Sequence, residues 1–168
     1  MSRGFVKEGD QEEVPIVPPR AYLPDGVINY VTREGMNQLL AEREKLIEEK
    51  NNLDVTNENE HRITMNFLNS KLLLLSNRIA EAKIVNLEDQ PQNEIRFGAS
   101  ISLRTGITKK IQTFQIVGVD EADISKGKIS FISPIAKLLI NKRIGDKVTL
   151  KREKGDIVFE IMNIAYNQ

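Results

Sequence analysis

Two leucine-rich stripes separated by one polar stretch limit the possible folds of this chain more than any other feature. Apolar residues recur at heptad-like spacing before the stretch, at Met36, Leu39, Leu40, Leu46, Ile47 and Leu53, and after it, at Met65, Leu68, Leu72, Leu75, Ile79 and Ala82. Each stripe predicts a helix with one face to bury. The stretch between them, NNLDVTNENEHRITM at 51–65, holds four Asn and three acids. We therefore expect an antiparallel coiled-coil hairpin with this stretch at its tip.

The residues before the first stripe predict where its helix begins. Thr32 is a suitable N-cap, and Glu34 lies in the first turn, where the helix dipole favours an acid. Val31 can pack against Met36 as a hydrophobic staple. A helix of about 22 residues at 1.5 Å per residue makes an arm of about 33 Å, which is long for a device that only stabilises a small domain.

Beyond Pro91 the apolar period falls from helical spacing to two, which predicts strands. The predicted strands cover residues 99–104, 110–117, 128–132, 147–152 and 156–166. One short helix is expected within 133–146, with Ser133 as its N-cap and Pro134 at its first position. The predicted fold class is α+β, with a flexible proline-rich leader at 1–27, the hairpin at 28–88, and a mostly antiparallel sheet with one short helix at 89–168.

The composition excludes several kinds of function. The 168 residues include no cysteine and a single histidine, His61, so disulfides and thiolate metal sites are excluded and most self-contained enzyme chemistries are disfavoured. No segment approaches the roughly 20 apolar residues that span a bilayer, and the N-terminus lacks the apolar run of a signal peptide. We expect a cytoplasmic protein without membrane contacts.

Charge is distributed unevenly, although the formal net charge is zero. Residues 1–60 carry 7 Lys and Arg against 13 Asp and Glu, and the remainder carries 17 against 11. This uneven charge distribution suits binding to a large charged partner, although solvated surface residues can also be distributed unevenly along a chain. Direct DNA or RNA reading has little support, because no interleaved aromatic residues accompany the basic set Lys137, Lys142, Arg143, Lys147, Lys151 and Arg152.

The predicted tip offers three carboxylates, Asp54, Glu58 and Glu60. Acids on a turn are commonly just solvated, and a pair of Glu58 with Arg62 would serve only the helix. At the end of a rigid rod, the same acids could enter another molecule's site and complete the coordination of Mg²⁺ there. Spacing alone leaves both interpretations open.

Two further patterns are interpreted as structural. The letters DEAD at 120–123 match a helicase motif, but no GxxxxGK[ST] loop precedes them, so we predict an acidic loop. Four phenylalanines fall in the strand region and are expected in the core rather than in a ligand cage. They are Phe97, Phe114, Phe131 and Phe159.

Over roughly residues 28–168 the chain resembles the Gre-type transcript-cleavage factors. YVTREGMNQLLAEREKL resembles the entry to the family's first helix, and IAEAKIVN resembles the exit from its second. FGASISL, FQIVGVDEADISKGKISFISPIAKLLINKRIGDKVTL and IMNIAY resemble its C-terminal domain. The order IVG, DEAD, IS, SPIA and a basic residue before GD makes this second part of the resemblance specific.

The resemblance implies a C-terminal domain with the fold of FK506-binding proteins, which binds RNA polymerase at the rim of its secondary channel. Carried over by position, the polymerase-binding residues would be Asp120, Glu121, Asp123, Ile132, Ser133, Pro134 and Ile135. The hairpin would enter the channel, and the tip acids Asp54, Glu58 and Glu60 would help to hold Mg²⁺ of the polymerase active centre near the 3′ end of backtracked nascent RNA. Catalysis would then belong to the polymerase, and this chain would need no metal or cofactor of its own.

The tip departs from the family pattern GD-x-x-EN. Asn57 stands three residues after Asp54, and the pair Glu58 and Asn59 comes one residue later. The hairpin is also shorter than the usual family arm by about a heptad on each helix, which removes about 10 Å of reach. The leader at 1–27 has no counterpart in short members of the family.

Three alternatives accompany this interpretation. A secondary-channel regulator would bind the polymerase without stimulating cleavage. A peptidyl-prolyl isomerase or chaperone would use the same sheet domain, but fold alone does not decide activity and an open aromatic pocket would be needed. The hairpin could also be a dimerisation element, whereas we expect a monomer.

Overall fold

A computed structural model describes residues 16–54 and 56–167 of the chain. Residues 1–15 of the predicted leader lie outside the described residues, as do Val55 and Gln168. None of the helices in the described ranges is long and apolar enough to cross a membrane.

Two long helices, α1 (Arg33–Asn51) and α2 (Glu58–Glu81), form the predicted hairpin. Thr32 caps α1 as predicted, because its Oγ1 accepts a hydrogen bond from the Gly35 N–H at 2.9 Å. The two apolar stripes meet in one cluster, whose buried members are Val31, Leu39, Leu46, Leu68 and Leu75. Burying such a side chain contributes about 1.5–3 kcal/mol, so this seam holds the helices together. Knobs-into-holes packing between the two helices, which defines a coiled coil, stays a prediction.

A short parallel pair of strands lies at the base of the hairpin, and the sequence patterns missed it. Strand β1 (Asn29–Val31) precedes α1, and β2 (Ala82–Ile84) follows α2. Their register pairs Asn29 with Ala82 and Val31 with Ile84. Three residues are too few to show a period of two, which is why the pattern did not reveal these strands.

The five predicted strands of the C-terminal part are confirmed and form one sheet in the order β5-β4-β3-β7-β6. Their bounds are β3 (Ser100–Thr105), β4 (Ile111–Val117), β5 (Lys128–Ser130), β6 (Lys147–Leu150) and β7 (Ile157–Ala165). Neighbours are antiparallel except β4 and β5, which are parallel. The predicted mostly antiparallel sheet is therefore confirmed, with one parallel pair at this edge, where the chain leaves β4 through the acidic loop and a 3₁₀ turn, Ile124–Lys126, before β5 begins.

The short helix α3 (Pro134–Leu139) begins where the sequence predicted, with Ser133 as its N-cap. It ends at Leu139, so the short helix expected within 133–146 is confirmed and occupies only the first half of that range. Asn141 adopts a positive φ of 69°, which lies outside the right-handed helical region. Ala136 and Leu139 of α3 join the apolar core of the sheet. The α+β class is confirmed, and the likeness to FK506-binding proteins stays a prediction.

Candidate functional site

The three candidate acids lie at the tip of the hairpin, and all three are exposed. Asp54 shapes the turn, since its Oδ1 accepts a hydrogen bond from the Thr56 N–H at 3.1 Å. Glu58 and Glu60 lie in the first turn of α2, where their charge complements the helix dipole. The tip therefore presents carboxylates to solvent from a turn and from the helix that follows it.

Asn57 has a structural role at the tip. Its side-chain oxygen accepts hydrogen bonds from the N–H groups of Asn59 at 3.1 Å and Glu60 at 3.2 Å, which caps the start of α2. Arg62 Nη2 donates to the Asn59 side chain at 3.1 Å. Within the described ranges, no three acidic or histidine side chains are grouped so that they could hold a metal ion. A metal at the tip would therefore need most of its ligands from another molecule.

Two carboxylates of the acidic loop are turned inward. The Glu121 side chain is 3% exposed, and its Oε1 accepts a hydrogen bond from the Thr32 hydroxyl at 2.5 Å. Its Oε2 pairs with Lys128 Nζ at 3.0 Å. Asp120 is also largely buried, with 8% of its side chain exposed. Both residues, which the resemblance assigns to polymerase binding, are thus engaged inside this molecule.

Asp123 differs from its two neighbours in the loop. Its Oδ1 accepts hydrogen bonds from the Ser125 hydroxyl at 2.6 Å and from the Ser125 N–H at 3.0 Å. The hydroxyl bond is the main reason why the pKa of Asp123 lies below its usual value. Asp123 is therefore a negative charge held at the start of the 3₁₀ turn.

Asp120 belongs to an ion network that the sequence did not predict. Arg20 Nε donates to Asp120 Oδ1 at 3.1 Å, and the terminal nitrogens of Arg20 donate to the two Glu42 carboxylate oxygens at 2.8 and 3.0 Å. Arg78 Nη1 lies 3.5 Å from Asp120 Oδ2, and Arg78 Nη2 donates to the Ala21 carbonyl at 2.7 Å. The Glu42 hydrogen bond is the main cause that raises the pKa of Arg20.

Separation along the chain hid this network. Arg20 is 22 positions from Glu42 and 100 positions from Asp120, and each residue alone fits a solvated surface. The only available signal was an arginine inside a proline-rich segment. Arg20 lies in the part of the predicted leader that the structure describes, and there it makes specific contacts.

The remaining candidate residues, 132–135, surround the start of α3. Pro134 is exposed, while Ile132, Ser133 and Ile135 are half-buried. Ser133 Oγ accepts the Ala136 N–H at 3.3 Å, and Ile135 packs against the core of the sheet. This segment therefore leaves Pro134 exposed to solvent, while the residues around it are partly engaged in packing and capping.

Aromatic packing joins the hairpin base to the sheet. Phe159 is buried, and Phe97, Phe114 and Phe131 are half-buried against the core, which confirms their predicted place. Tyr30 of β1 was not predicted to join them, yet its ring centroid lies 5.9 Å from that of Phe97 and 5.8 Å from that of Phe131. The hairpin and the sheet thus share an interface.

These features define a class of protein: an α+β chain in which a small sheet domain carries a helical hairpin with exposed acids at its tip. The family model described as "Transcription elongation factor, GreA/GreB, C-term" matches residues 90–166. The transcription elongation factor GreA of Neorickettsia sennetsu is 31% identical over 153 residues, which cover 82% of this chain and 96% of that protein. The chain belongs to the GreA/GreB family of transcription elongation factors.

Other relatives match over a smaller part. GreA of Syntrophotalea carbinolica is 39% identical over 100 residues, which are 60% of this chain and only 63% of that relative's length. Among solved structures, GreA/GreB from Nitrosomonas europaea has a TM-score of 0.42 and 16% identity, covering 83% of this chain and 99% of that one. GreA factor homolog 1 of Thermus thermophilus has a TM-score of 0.40 and 20% identity, covering 81% and 97%. The family assignment rests on the sequence relatives.

Proposed function

We propose that this chain binds RNA polymerase at the secondary channel and stimulates the polymerase's own cleavage of backtracked RNA, which rescues arrested complexes. The observation that carries this proposal is the exposure of Asp54, Glu58 and Glu60 at the end of the hairpin farthest from the sheet. The helices have 19 and 24 residues, so the arm is about 29–36 Å long at 1.5 Å per residue. Such an arm can carry carboxylates well away from the surface that holds the protein in place.

The sheet domain would hold the protein on the polymerase. Pro134 is exposed at the start of α3, and together with Ile132, Ser133, Ile135 and Asp123 it forms the proposed binding surface. Asp120 and Glu121 would support this surface from inside, because their carboxylates are engaged with Arg20, Arg78, Thr32 and Lys128. Membership of the GreA/GreB family supports RNA polymerase as the partner.

The tip residues suit the Mg²⁺ of the polymerase active centre. Carboxylate oxygens are the ligands that Mg²⁺ prefers. The three tip acids are exposed, and Glu58 and Glu60 lie in the first turn of α2, which Asn57 caps. When bound, the ion supplies Lewis-acid activation of water and of the phosphodiester. The residues of this chain add negative charge and oxygen ligands beside the 3′ end of the nascent RNA. The chain would accordingly be an activator of the polymerase and no enzyme by itself.

A second candidate is a channel-binding regulator that does not stimulate cleavage. The role of Asn57 favours it, because an amide that caps α2 stands where the family pattern has its second acid. An amide oxygen carries no net charge and is the weaker ligand for a divalent cation. Both candidates predict polymerase binding, and only the first predicts RNA shortening.

The deciding experiment uses a stalled, backtracked elongation complex with labelled RNA. Purified wild-type protein should release short 3′ fragments, and the Asp54→Ala/Glu58→Ala variant should bind the complex equally well without releasing them. The matched control is Glu153→Ala/Asp156→Ala, which removes the same two residue types from exposed positions between β6 and β7. This control should cleave like wild type, because it leaves the tip unchanged.

Three outcomes are distinguishable. Cleavage that both double variants retain would assign the effect to residues other than the tip acids. Binding without cleavage by the wild type would support the channel-binding regulator. Absence of binding at micromolar concentration, with the polymerase competent for other factors, would overturn the proposal.

A further inference from the structure

Arg20 connects parts of the molecule that the chain itself keeps far apart. We propose that Arg20 is a positioning residue, which sets the direction of the hairpin relative to the sheet domain and so the place to which the tip acids point. The functional role of this orientation rests on the proposed function, whereas the orientation itself can be measured on the isolated protein.

The contacts of Arg20 are directional. Two of its nitrogens donate to the two carboxylate oxygens of Glu42 on α1, at 2.8 and 3.0 Å, and the third donates to Asp120 at 3.1 Å. A planar guanidinium that uses all three nitrogens holds its acceptors at defined angles, unlike an ammonium group. The fork therefore fixes where α1 lies relative to the loop after β4.

Arg78 extends the same contact to the second helix. Its Nη1 lies 3.5 Å from the other oxygen of Asp120, and its Nη2 holds the carbonyl of Ala21, the residue after Arg20. The side chains of Arg20, Arg78 and Asp120 are 18%, 14% and 8% exposed. Charges so little exposed are weakly screened by salt, so the pairs of Asp120 with Arg20 and Arg78 act at physiological ionic strength. Glu42 is 42% exposed, so its pair with Arg20 is screened more strongly.

The adjacent carboxylate makes a contact at a different point of the hairpin. Glu121 accepts the hydroxyl of Thr32 at the start of α1, whereas Glu42 is ten residues further along the chain. Thr32, Tyr30 and Arg78 all attach the hairpin near its base. Arg20 adds an attachment farther along α1, at Glu42, and this contact limits the rotation of the hairpin about its base.

Neither the hairpin nor the sheet domain should need Arg20 in order to fold. It belongs to neither apolar cluster, since one lies in the sheet domain and the other lies in the hairpin seam. Its removal should therefore change orientation more than stability. This difference separates a positioning role from a purely structural one.

The test is a distance measurement by double electron–electron resonance. The chain has no cysteine, so spin labels can be attached at Glu49→Cys, exposed near the end of α1, and Gln112→Cys, exposed on β4. The wild-type background should give one narrow distance distribution. Arg20→Ala should shift or broaden it, while circular dichroism and the unfolding midpoint stay close to the wild type.

Arg33→Ala is the matched control, because it removes an exposed arginine from the start of α1 and should leave the distribution unchanged. Glu42→Gln removes the charge of one Arg20 partner at a side chain that is 42% exposed, so it tests the same contact should Arg20→Ala not fold. A distribution that matches wild type in the folded variants would overturn the inference. A lower unfolding midpoint with an unchanged distribution would also overturn it, since it indicates a structural role alone.

The cleavage assay then tests whether the orientation of the hairpin affects the stimulation of RNA cleavage. If wild-type protein stimulates cleavage, Arg20→Ala should lower the maximal cleavage rate while the concentration for half-maximal binding changes little. If wild-type protein does not stimulate cleavage, the proposed function fails, yet the distance measurement still decides the role of Arg20. The two failures are therefore distinguishable.

Discussion

Residues of the same type take different roles in this protein according to their burial. Asp120, Glu121 and Asp123 lie within four positions of each other, and the resemblance treats them as one binding surface. The structure buries the first two against arginine, lysine and threonine partners, and it leaves Asp123 to order a turn. The contacts of each side chain therefore decide whether the role that a family pattern assigns to a position can apply to it.

Tyr166 makes a pH-dependent contribution to stability. Its hydroxyl donates to the Glu94 carbonyl at 2.5 Å and accepts the Arg96 N–H at 2.8 Å. Burial raises its pKa above the ordinary value of 10.0. A group with a raised folded-state pKa contributes stability that is complete below its unfolded pKa and is lost as pH rises through the folded one. We expect the free energy of unfolding to fall above pH 10.0, and less so in Tyr166→Phe.

Urea denaturation followed by circular dichroism measures this effect. At neutral pH, Tyr166→Phe should lower the free energy of unfolding by about 1–2 kcal/mol, because two hydrogen bonds are lost. The control is Tyr22→Phe, which removes a hydroxyl from a side chain that is 76% exposed. An alkaline decline equally steep in both variants would show that Tyr166 is not its source.

At the scale of secondary-structure elements, the stability of the hairpin depends on which leucines of α2 face the seam between the two helices. Four consecutive leucines occupy 72–75 of α2. Leu75 is fully buried in the seam, Leu72 packs at its edge, and Leu73 is 63% exposed. The helical period and not the amino-acid type therefore decides which of them stabilises the hairpin. The monomeric state of the chain stays a prediction.

We expect Leu75→Ala and Leu73→Ala to differ strongly in stability. Leu75→Ala should lower the free energy of unfolding by about 2–5 kcal/mol, because it removes buried methyl groups and leaves a cavity. Leu73→Ala should change it by less than about 0.5 kcal/mol, as is usual for surface substitutions. Urea denaturation of the two variants measures the difference, and similar losses would contradict the burial of the seam.

The whole molecule is held together where the hairpin base meets the sheet domain. Tyr30 packs on Phe97 and Phe131, and Thr32 donates to Glu121. A methyl group built on Gly118 would lie 2.6 Å from the Tyr30 carbonyl oxygen. The backbone of β1 therefore approaches the end of β4 as closely as only glycine permits.

Gly118→Ala should disturb this interface directly, because its methyl group would meet the Tyr30 carbonyl oxygen at 2.6 Å. The added methyl group must displace the backbone of β1, so we expect a loss of about 1–3 kcal/mol in the free energy of unfolding. Gly106→Ala is the matched control, because its methyl group would meet the Val158 carbonyl oxygen at an ordinary 3.5 Å. Thermal or urea unfolding compares the two, and equal stability of both variants would disprove the close approach.

The sequence alone determined the elements whose signal is local. The helical seam from Met36 to Ala82, the cap at Thr32, the five strands and the start of α3 were all predicted, because periodicity and capping depend on neighbours within a few residues. The α+β class followed from them. The tip acids were predicted as exposed for the same reason, since no apolar period covers them.

Only the tertiary structure decided what the charged residues do. The strand pair β1 and β2, the parallel edge of β4 and β5, and the network of Arg20, Glu42, Arg78 and Asp120 each join positions far apart along the chain. An ion pair stabilises a fold only where burial excludes water from it, and burial is a property of the packed molecule. The same local pattern of charges therefore fits a solvated surface or an interdomain contact until the packing is known.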